Sequence, residues 1–205
     1  FCYAVGGFNP GIGVVNTVDK FPTAADDQAG TDVGDLTVAR QGQAHVSSTT
    51  FGYAAGGGGP PGAKNEIDKF PFASDGNTTD VGDLTGGVKS WIISSSTADY
   101  GYSLGHYPQT AAEKYSHTSN SNATQIPALS YPAYFGAGNT SDTNHYYTQW
   151  YAQLGSPLFG NPGFNTAVAK VPIANEDAAT DTGIDWSAAT NSSDGMDVQI
   201  INFFS

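Results

Sequence analysis

Ile67-Asp68-Lys69-Phe70-Pro71, followed by Thr79-Asp80-Val81-Gly82-Asp83-Leu84, repeats Val18-Asp19-Lys20-Phe21-Pro22 and Thr31-Asp32-Val33-Gly34-Asp35-Leu36 almost word for word. Self-similarity at a fixed period is the signature of a repeat architecture, so it governs the rest of the reading. Weaker copies follow at Glu113-Lys114-Tyr115 with Thr124, and at Ala169-Lys170-Val171-Pro172 with Thr180-Asp181-Thr182-Gly183. The Lys-to-Thr offset is 11 residues in the first copy and 10 in the other three. A second marker, Gly6, Gly56, Gly105 and Gly155, recurs at intervals of 50, 49 and 50. The chain therefore reads as one repeat domain over residues 1–205, with copies at about 1–50, 51–99, 100–149 and 150–205.

Within the second copy the pattern predicts a strand at 52–56, a Gly/Pro-rich turn at 57–62 and a strand at 66–72. A polar turn at 74–78, a short strand at 79–84 and a β-rich return from Val88 to Ser95, containing Trp91, Ile92 and Ile93, complete it. Short strands bounded by Gly, Pro, Asn and Asp, with no apolar spacing at i, i+3, i+4 over three turns, make an all-β fold. Composition agrees, since 13% of the 205 residues are charged and 26 are Gly.

These residues resemble kelch repeats: an apolar strand ending in Gly-Gly, a second strand with an aromatic before a turn, a short third strand and an apolar return. The resemblance implies a kelch-like β-propeller of four blades, about 50 residues each, standing alone or as part of a larger array. The pattern departs from ordinary kelch in placing Leu36, Leu84 and Leu129 where a tryptophan is usual, with Trp186 near that place in the fourth copy. The Asp-Lys-Phe-Pro wording is also similar to kelch-type arrays in structural and tail proteins of marine bacteriophages. Val198-Gln199-Ile200-Ile201 matches the return strand that should precede Phe1-Cys2-Tyr3, so the first blade is expected to be closed by the C-terminal strand. Such pairing removes an exposed sheet edge. Because the chain begins at Phe1 without methionine, processing or a preceding remainder is expected.

The net charge of −12, with only 7 Lys plus Arg, argues against nucleic acid as a partner. No apolar stretch approaches the roughly 20 residues of a membrane-spanning helix. Cys2 is the sole cysteine, which excludes an intramolecular disulfide and a cysteine-based metal site. His45, His106, His117 and His145 are dispersed without zinc-like spacing, and no nucleophile elbow or phosphate loop is present. The chain is not expected to be an enzyme, and no cofactor or metal is expected. Calcium is the one cation the oxygen-rich stretches around Asp26, Asp27, Asp32 and Asp35, and around Asp75, Asn77, Asp80 and Asp83, would suit, although turns need the same residues.

Lys20, Lys69, Lys114 and Lys170 hold one equivalent position and are expected to pack their stems and form ion pairs. Aromatic residues concentrate in the third and fourth copies. There Tyr107, Tyr134, His145, Tyr146, Tyr147 and Trp150 are the candidate binding residues. The resulting expectation is a structural and binding protein of a virion or extracellular surface, a decoration, fibre or tail component that assembles with other subunits or with itself. The alternative is a stand-alone, lectin-like propeller that binds cell-surface glycan.

Overall fold

The computed structural model describes residues 1–24, 29–86, 90–106, 109–128, 139–141, 145–154, 163–172 and 180–185, with backbone alone for 106, 109 and every residue from 139 onward. The described residues form antiparallel strands and no helix. The first sheet holds β1 (Cys2–Asn9), β2 (Gly13–Phe21) and β3 (Thr31–Asp35) in that order. The second runs β4 (Ala44–Ser47), β5 (Phe51–Ala55), then β8 (Glu66–Pro71) and β9 (Thr79–Asp83). A small hairpin, β6 (Gly58–Gly59) and β7 (Gly62–Ala63), fills the connection between β5 and β8. The third sheet is β10 (Ile93–Ser96), β11 (Tyr100–His106), β12 (Gln109–Ser116) and β13 (Thr124–Ile126). The fourth is β14 (Asn139–Ser141), β15 (His145–Leu154), β16 (Gly163–Pro172) and β17 (Thr180–Asp185).

Sheet and sequence repeat are offset by one strand. Sheets two, three and four each take their first strand from the return segment of the preceding copy, and β4, β10 and β14 pair with β5, β11 and β15. The chain thus enters every new sheet before finishing the old repeat, and successive copies are stitched together by backbone hydrogen bonds as well as by packing.

The Lys-to-Thr spacing turns out to be a strand register. Lys20 faces Thr31, Lys69 faces Thr79, Lys114 faces Thr124 and Lys170 faces Thr180. On the other side of the same strand a tyrosine faces each lysine: Tyr3, Tyr53, Tyr102 and Tyr147. The fourth copy is anchored by this pairing, while its β15 and β16 extend into a longer hairpin that pairs without a break from His145↔Pro172 to Leu154↔Gly163.

Alternation gives the second sheet two faces, and each face meets a different neighbour. Ala54 and Phe70 pack with Val5, Val18 and Leu36 of the first sheet. Tyr53, Ala55 and Ile67 point the other way and pack with Leu84, Tyr115 and Ala123 toward the third. Strand β5 is therefore buried on both faces from Gly52 to Ala55, which explains its small residues.

The marker glycines of the first three copies interrupt or end the first strand, Gly6 and Gly105 in irregularities within β1 and β11 and Gly56 just past β5. Gly6, Gly56 and Gly105 all hold φ between 53° and 63°, the left-handed region that only glycine enters without steric cost. At Gly6 a Cβ would also lie 2.7 Å from the Arg40 carbonyl, because the loop after β3 threads past this point and Gly7 N donates to Arg40 O at 2.9 Å.

The return strand of the second copy is shorter than the sequence pattern suggests. Strand β10 begins at Ile93, and Trp91 lies before it with φ of 60°. Ile92 and Ile93 are buried as expected, whereas Trp91 is half-exposed.

Candidate functional site

The chemistry-bearing residues of the described part gather at the junctions between sheets. Asp68, on β8, is fully buried and faces the first sheet. Its Oδ1 accepts from the Thr37 hydroxyl at 2.7 Å and its Oδ2 from the Thr37 amide at 2.9 Å. Glu113 occupies the same place on β12 and is equally buried. Its Oε1 accepts from the Thr85 amide and hydroxyl, both at 2.7 Å, and from Gly86 N at 2.6 Å. Each carboxylate captures the Leu-Thr loop that leaves the third strand of the preceding copy. Charge-assisted bonds of this kind are about twice as strong as neutral ones.

The turn before the third strand reaches back in the same direction. The Asn77 side-chain oxygen accepts from Asp35 N at 3.1 Å, and Thr78 N donates to Asp35 O at 2.8 Å. Asn122 and Ala123 repeat both bonds on Asp83, again at 3.1 and 2.8 Å. Gly34 and Gly82 allow the approach, since a side chain there would run into the Gly76 and Ser121 carbonyls respectively. Each glycine lies in the bulge where the third strand gains a residue over its partner.

Two lysines close the rim. Lys20 pairs with Asp75 at 2.8 Å, and Lys69 donates to Asn120 at 3.4 Å, so each reaches the turn of the following copy. Their ammonium groups sit over aromatic rings, with Nζ 4.5 Å from the Phe1 centroid and 4.1 Å from that of Phe51. Of the oxygen-rich stretches considered for calcium, Asp26 and Asp27 lie outside the described residues, while Asp32 and Asp80 each accept from a backbone amide two residues on, at 3.1 Å, and Asp75 pairs with Lys20. Among the described residues no group of three or more His, Cys, Asp or Glu side chains is arranged to hold a metal.

Arg40 adds a feature found at the first junction. It is fully buried, with Nη2 2.9 Å from Asp68 Oδ2 and 3.1 Å from the Ala54 carbonyl. Nη1 reaches the Glu66 carbonyl at 3.3 Å, and Nε has no hydrogen-bond partner. Loss of hydration lowers the guanidinium's basicity, opposed by the carboxylates of Asp68 and Glu66.

Aromatic rings fill the interior of both junctions. Tyr3 stacks on Phe72 at 5.3 Å, and Tyr53 stacks on His117 at 4.9 Å with planes 19° apart. His117 is buried, and its Nδ1 lies 3.2 Å from the Ala98 carbonyl while Nε2 has no partner. The neutral tautomer with Nδ1–H donating fits this setting. Burial is the main cause that lowers the His117 pKa; Lys69 adds to it, while the Ala98 bond and Asp99 oppose it. Below the ordinary histidine value of about 6.5, the unfolded chain binds a proton that the folded chain refuses, so stability falls with pH. Thermal melts from pH 7.5 down to 5 should show Tm dropping through this window, and His117→Gln should flatten the drop. His45 is also lowered by desolvation, so His117→Gln should flatten the drop in part and not abolish it. An unchanged slope in His117→Gln would refute the assignment.

The six residues singled out from sequence fall largely outside the described atoms. Tyr107 and Tyr134 lie outside the described residues, and His145, Tyr146, Tyr147 and Trp150 are placed by backbone alone, all on β15. The register sets Tyr147 opposite Lys170, the position held by Tyr3, Tyr53 and Tyr102 in the other copies. Tyr53 and Tyr102 are buried there. Sequence reading missed the carboxylate latch and the exposure of Trp91. The matched positions of Asp68 and Glu113 were visible, but the loop they capture lies 27 to 31 residues away.

No family model matches the chain, and no curated protein matches it. No helix among the described residues is long and apolar enough to cross a membrane.

Proposed function

We propose that the chain is a kelch-like propeller whose fourth sheet closes against the first, and that it serves as a non-enzymatic structural and binding component of a virion or extracellular surface. The observation that carries the architecture is that the two halves of a junction, the close-approach glycine on one sheet and the buried carboxylate on the next, are kept or lost together. Gly34 goes with Asp68 and Gly82 with Glu113. The third copy has Pro127 in place of that glycine, and the fourth has Ala169 at the carboxylate position, opposite Asp181 as Asp68 is opposite Asp80. Both halves are absent at that junction. The remaining halves match, since Asp19 holds the carboxylate position in the first sheet and Gly183 the glycine position in the fourth.

Strand pairing supports the same closure. Among the described residues β1 has β2 as its one strand neighbour, whereas β5, β11 and β15 each have a return strand on the other side. The segment Val198–Ile201 has the apolar pattern to fill that place. An open β1 edge invites association, and a propeller closed on itself leaves only short edges.

The surface role rests on the resemblance of the repeat wording to phage structural and tail arrays and on how the polar residues are used. Buried carboxylates, with asparagines and lysines at the rim, hold sheets together, which makes a stiff scaffold whose loops are left for recognition. Partner subunits are expected to be other structural proteins or further copies, with cell-surface glycan as the ligand. Cryo-electron microscopy of particles from the native source tests the whole proposal. It should show the four sheets closed into a ring at repeated positions on a particle or filament. Free chains with an open first sheet would overturn it.

A further inference from the structure

We infer that His117 makes the junction between the second and third sheets a hinge that opens in acid, a property that goes beyond any role at a surface. The internal repeat supplies the comparison. At the first junction Tyr3 stacks on Phe72 with planes 22° apart, and at the second Tyr53 stacks on His117 with planes 19° apart. Phe72 N donates to Thr50 O at 3.0 Å, as His117 N does to Asp99 O at 2.8 Å. Both residues stand three places after the lysine that marks each copy, where the first and fourth copies have Thr23 and Ile173. Phe72 shows that the stack needs no imidazole. Histidine at this place adds a hydrogen bond and the capacity to take up a proton.

His117 clasps the two sheets. Its ring lies against Tyr53 of β5, and the Tyr53 hydroxyl donates to the His117 carbonyl at 3.1 Å. On its own sheet, Nδ1 lies 3.2 Å from the Ala98 carbonyl in the turn between β10 and β11. Nδ1 must carry the hydrogen, since a carbonyl can only accept, so the next proton goes to Nε2. That nitrogen is buried and has no partner. Protonation would create a buried cation whose new N–H meets no acceptor.

The neighbouring charges do not rescue it. Lys69 on β8, with Nζ 5.8 Å from the Tyr53 ring, repels the imidazolium, and Asp99 in the turn attracts it. Tyr53, and Tyr115 on β12 with its ring 6.2 Å from that of Tyr53, stay neutral because burial raises both phenol pKa values. Loss of hydration outweighs Asp99 and the Ala98 bond. The charged ring is stable only in water, and it reaches water by leaving Tyr53. The second sheet then parts from the third, and the Thr85 and Gly86 amides lose Glu113.

Hydrogen exchange at pH 7.5 and 5.5, each rate divided by its intrinsic value, tests the hinge in wild type, His117→Phe and His117→Gln. At pH 5.5, one unit below the ordinary histidine value of about 6.5, a site that refuses its proton loses up to about tenfold in its closed-to-open ratio. Protection of Thr85 and Gly86 in wild type should therefore fall about five- to tenfold. His117→Phe copies the first junction and should abolish that fall, with Glu113 unchanged in the protein. His117→Gln keeps a donor for Ala98 without titrating and should do the same, which covers the case of a phenylalanine that disturbs packing. Acid also reaches His45 at the first junction, so any change at Thr37 should be equal in all three proteins. Wild-type protection that acid leaves unchanged, a fall that persists in both variants, or a rescue that extends equally to Thr37 would overturn the hinge. Particle images that contradict the surface role would leave it standing.

Discussion

Asp68→Ala should cost about 3–5 kcal/mol of folding stability, a fall in Tm of roughly 6–20 °C for a chain of this size. The reason is the guanidinium left behind. Arg40 is fully buried, and Asp68 Oδ2 at 2.9 Å is its one close carboxylate, the Glu66 carboxylate standing 3.8 Å away. Removing Asp68 strands that charge and also frees the Thr37 amide and hydroxyl. A buried ion pair is weak in net terms but expensive to break from one side. The paired change Arg40→Met with Asp68→Leu should therefore recover most of the loss, leaving the cost of the Thr37 bonds, about 1–3 kcal/mol. Urea denaturation of the two variants measures the difference. Equal losses in single and double variants would show that the charge is not the cause.

Gly82→Val is expected to be the next most damaging change, at about 3 kcal/mol, the upper part of the range for overpacking. Its added atoms would run into the Ser121 carbonyl and lie within 2.8 Å of Asn122 N, which are backbone and cannot rotate away. To make room the turn at 120–122 must lift, and the Asp83 N to Asn122 and Ala123 N to Asp83 bonds go with it. Gly11→Ala is the control. A Cβ there meets only the Asn9 side-chain oxygen at 3.4 Å, so its effect should stay within about 0.5 kcal/mol. Chemical denaturation of both proteins checks the contrast, and similar losses would mean that the close approach at Gly82 is not what the position selects for.

Much of the strand layout is readable from the sequence because it is local. The strand around Glu66–Pro71 and the Thr-Asp-Val-Gly-Asp strand fall where alternating apolar residues put them, and the stretch expected as a turn at 57–62 is a small hairpin, β6 and β7, turning at Pro60-Pro61. The Lys-to-Thr offset, 11 residues once and 10 three times, is the span of a hairpin and its register, which neighbouring residues fix. Contacts between copies are a different matter. That Lys20 would reach Asp75, or Asp68 would hold Thr37, depends on how two sheets face each other, and no spacing within one copy encodes it.

Trp91 shows a second limit. Between Ser90 and Ile92 it reads as part of an apolar β run, yet the chain must turn left-handed there to enter β10. Only its likeness in place to Gly42 reveals that, and the two segments share no wording. The fourth copy shows a third limit. Gly155 keeps the spacing of the Gly marker, but β15 and β16 are longer than their counterparts, so the tyrosine opposite lysine sits earlier, at Tyr147. The candidate aromatic site on β15 was therefore drawn from a copy whose hairpin departs from the pattern that defines the others.

Hydrogen exchange read amide by amide tests most directly the claim that buried carboxylates bind each sheet to the loop of the copy before it. The amides of Thr37 and Thr85, though in loops, should exchange only as slowly as the core amides of β5, because they are released when the junctions open and the sheets come apart. Glu113→Gln should speed Thr85 well before it affects Thr37. Loop-like exchange of both amides in the intact protein, or equal acceleration of the two by Glu113→Gln, would contradict the account.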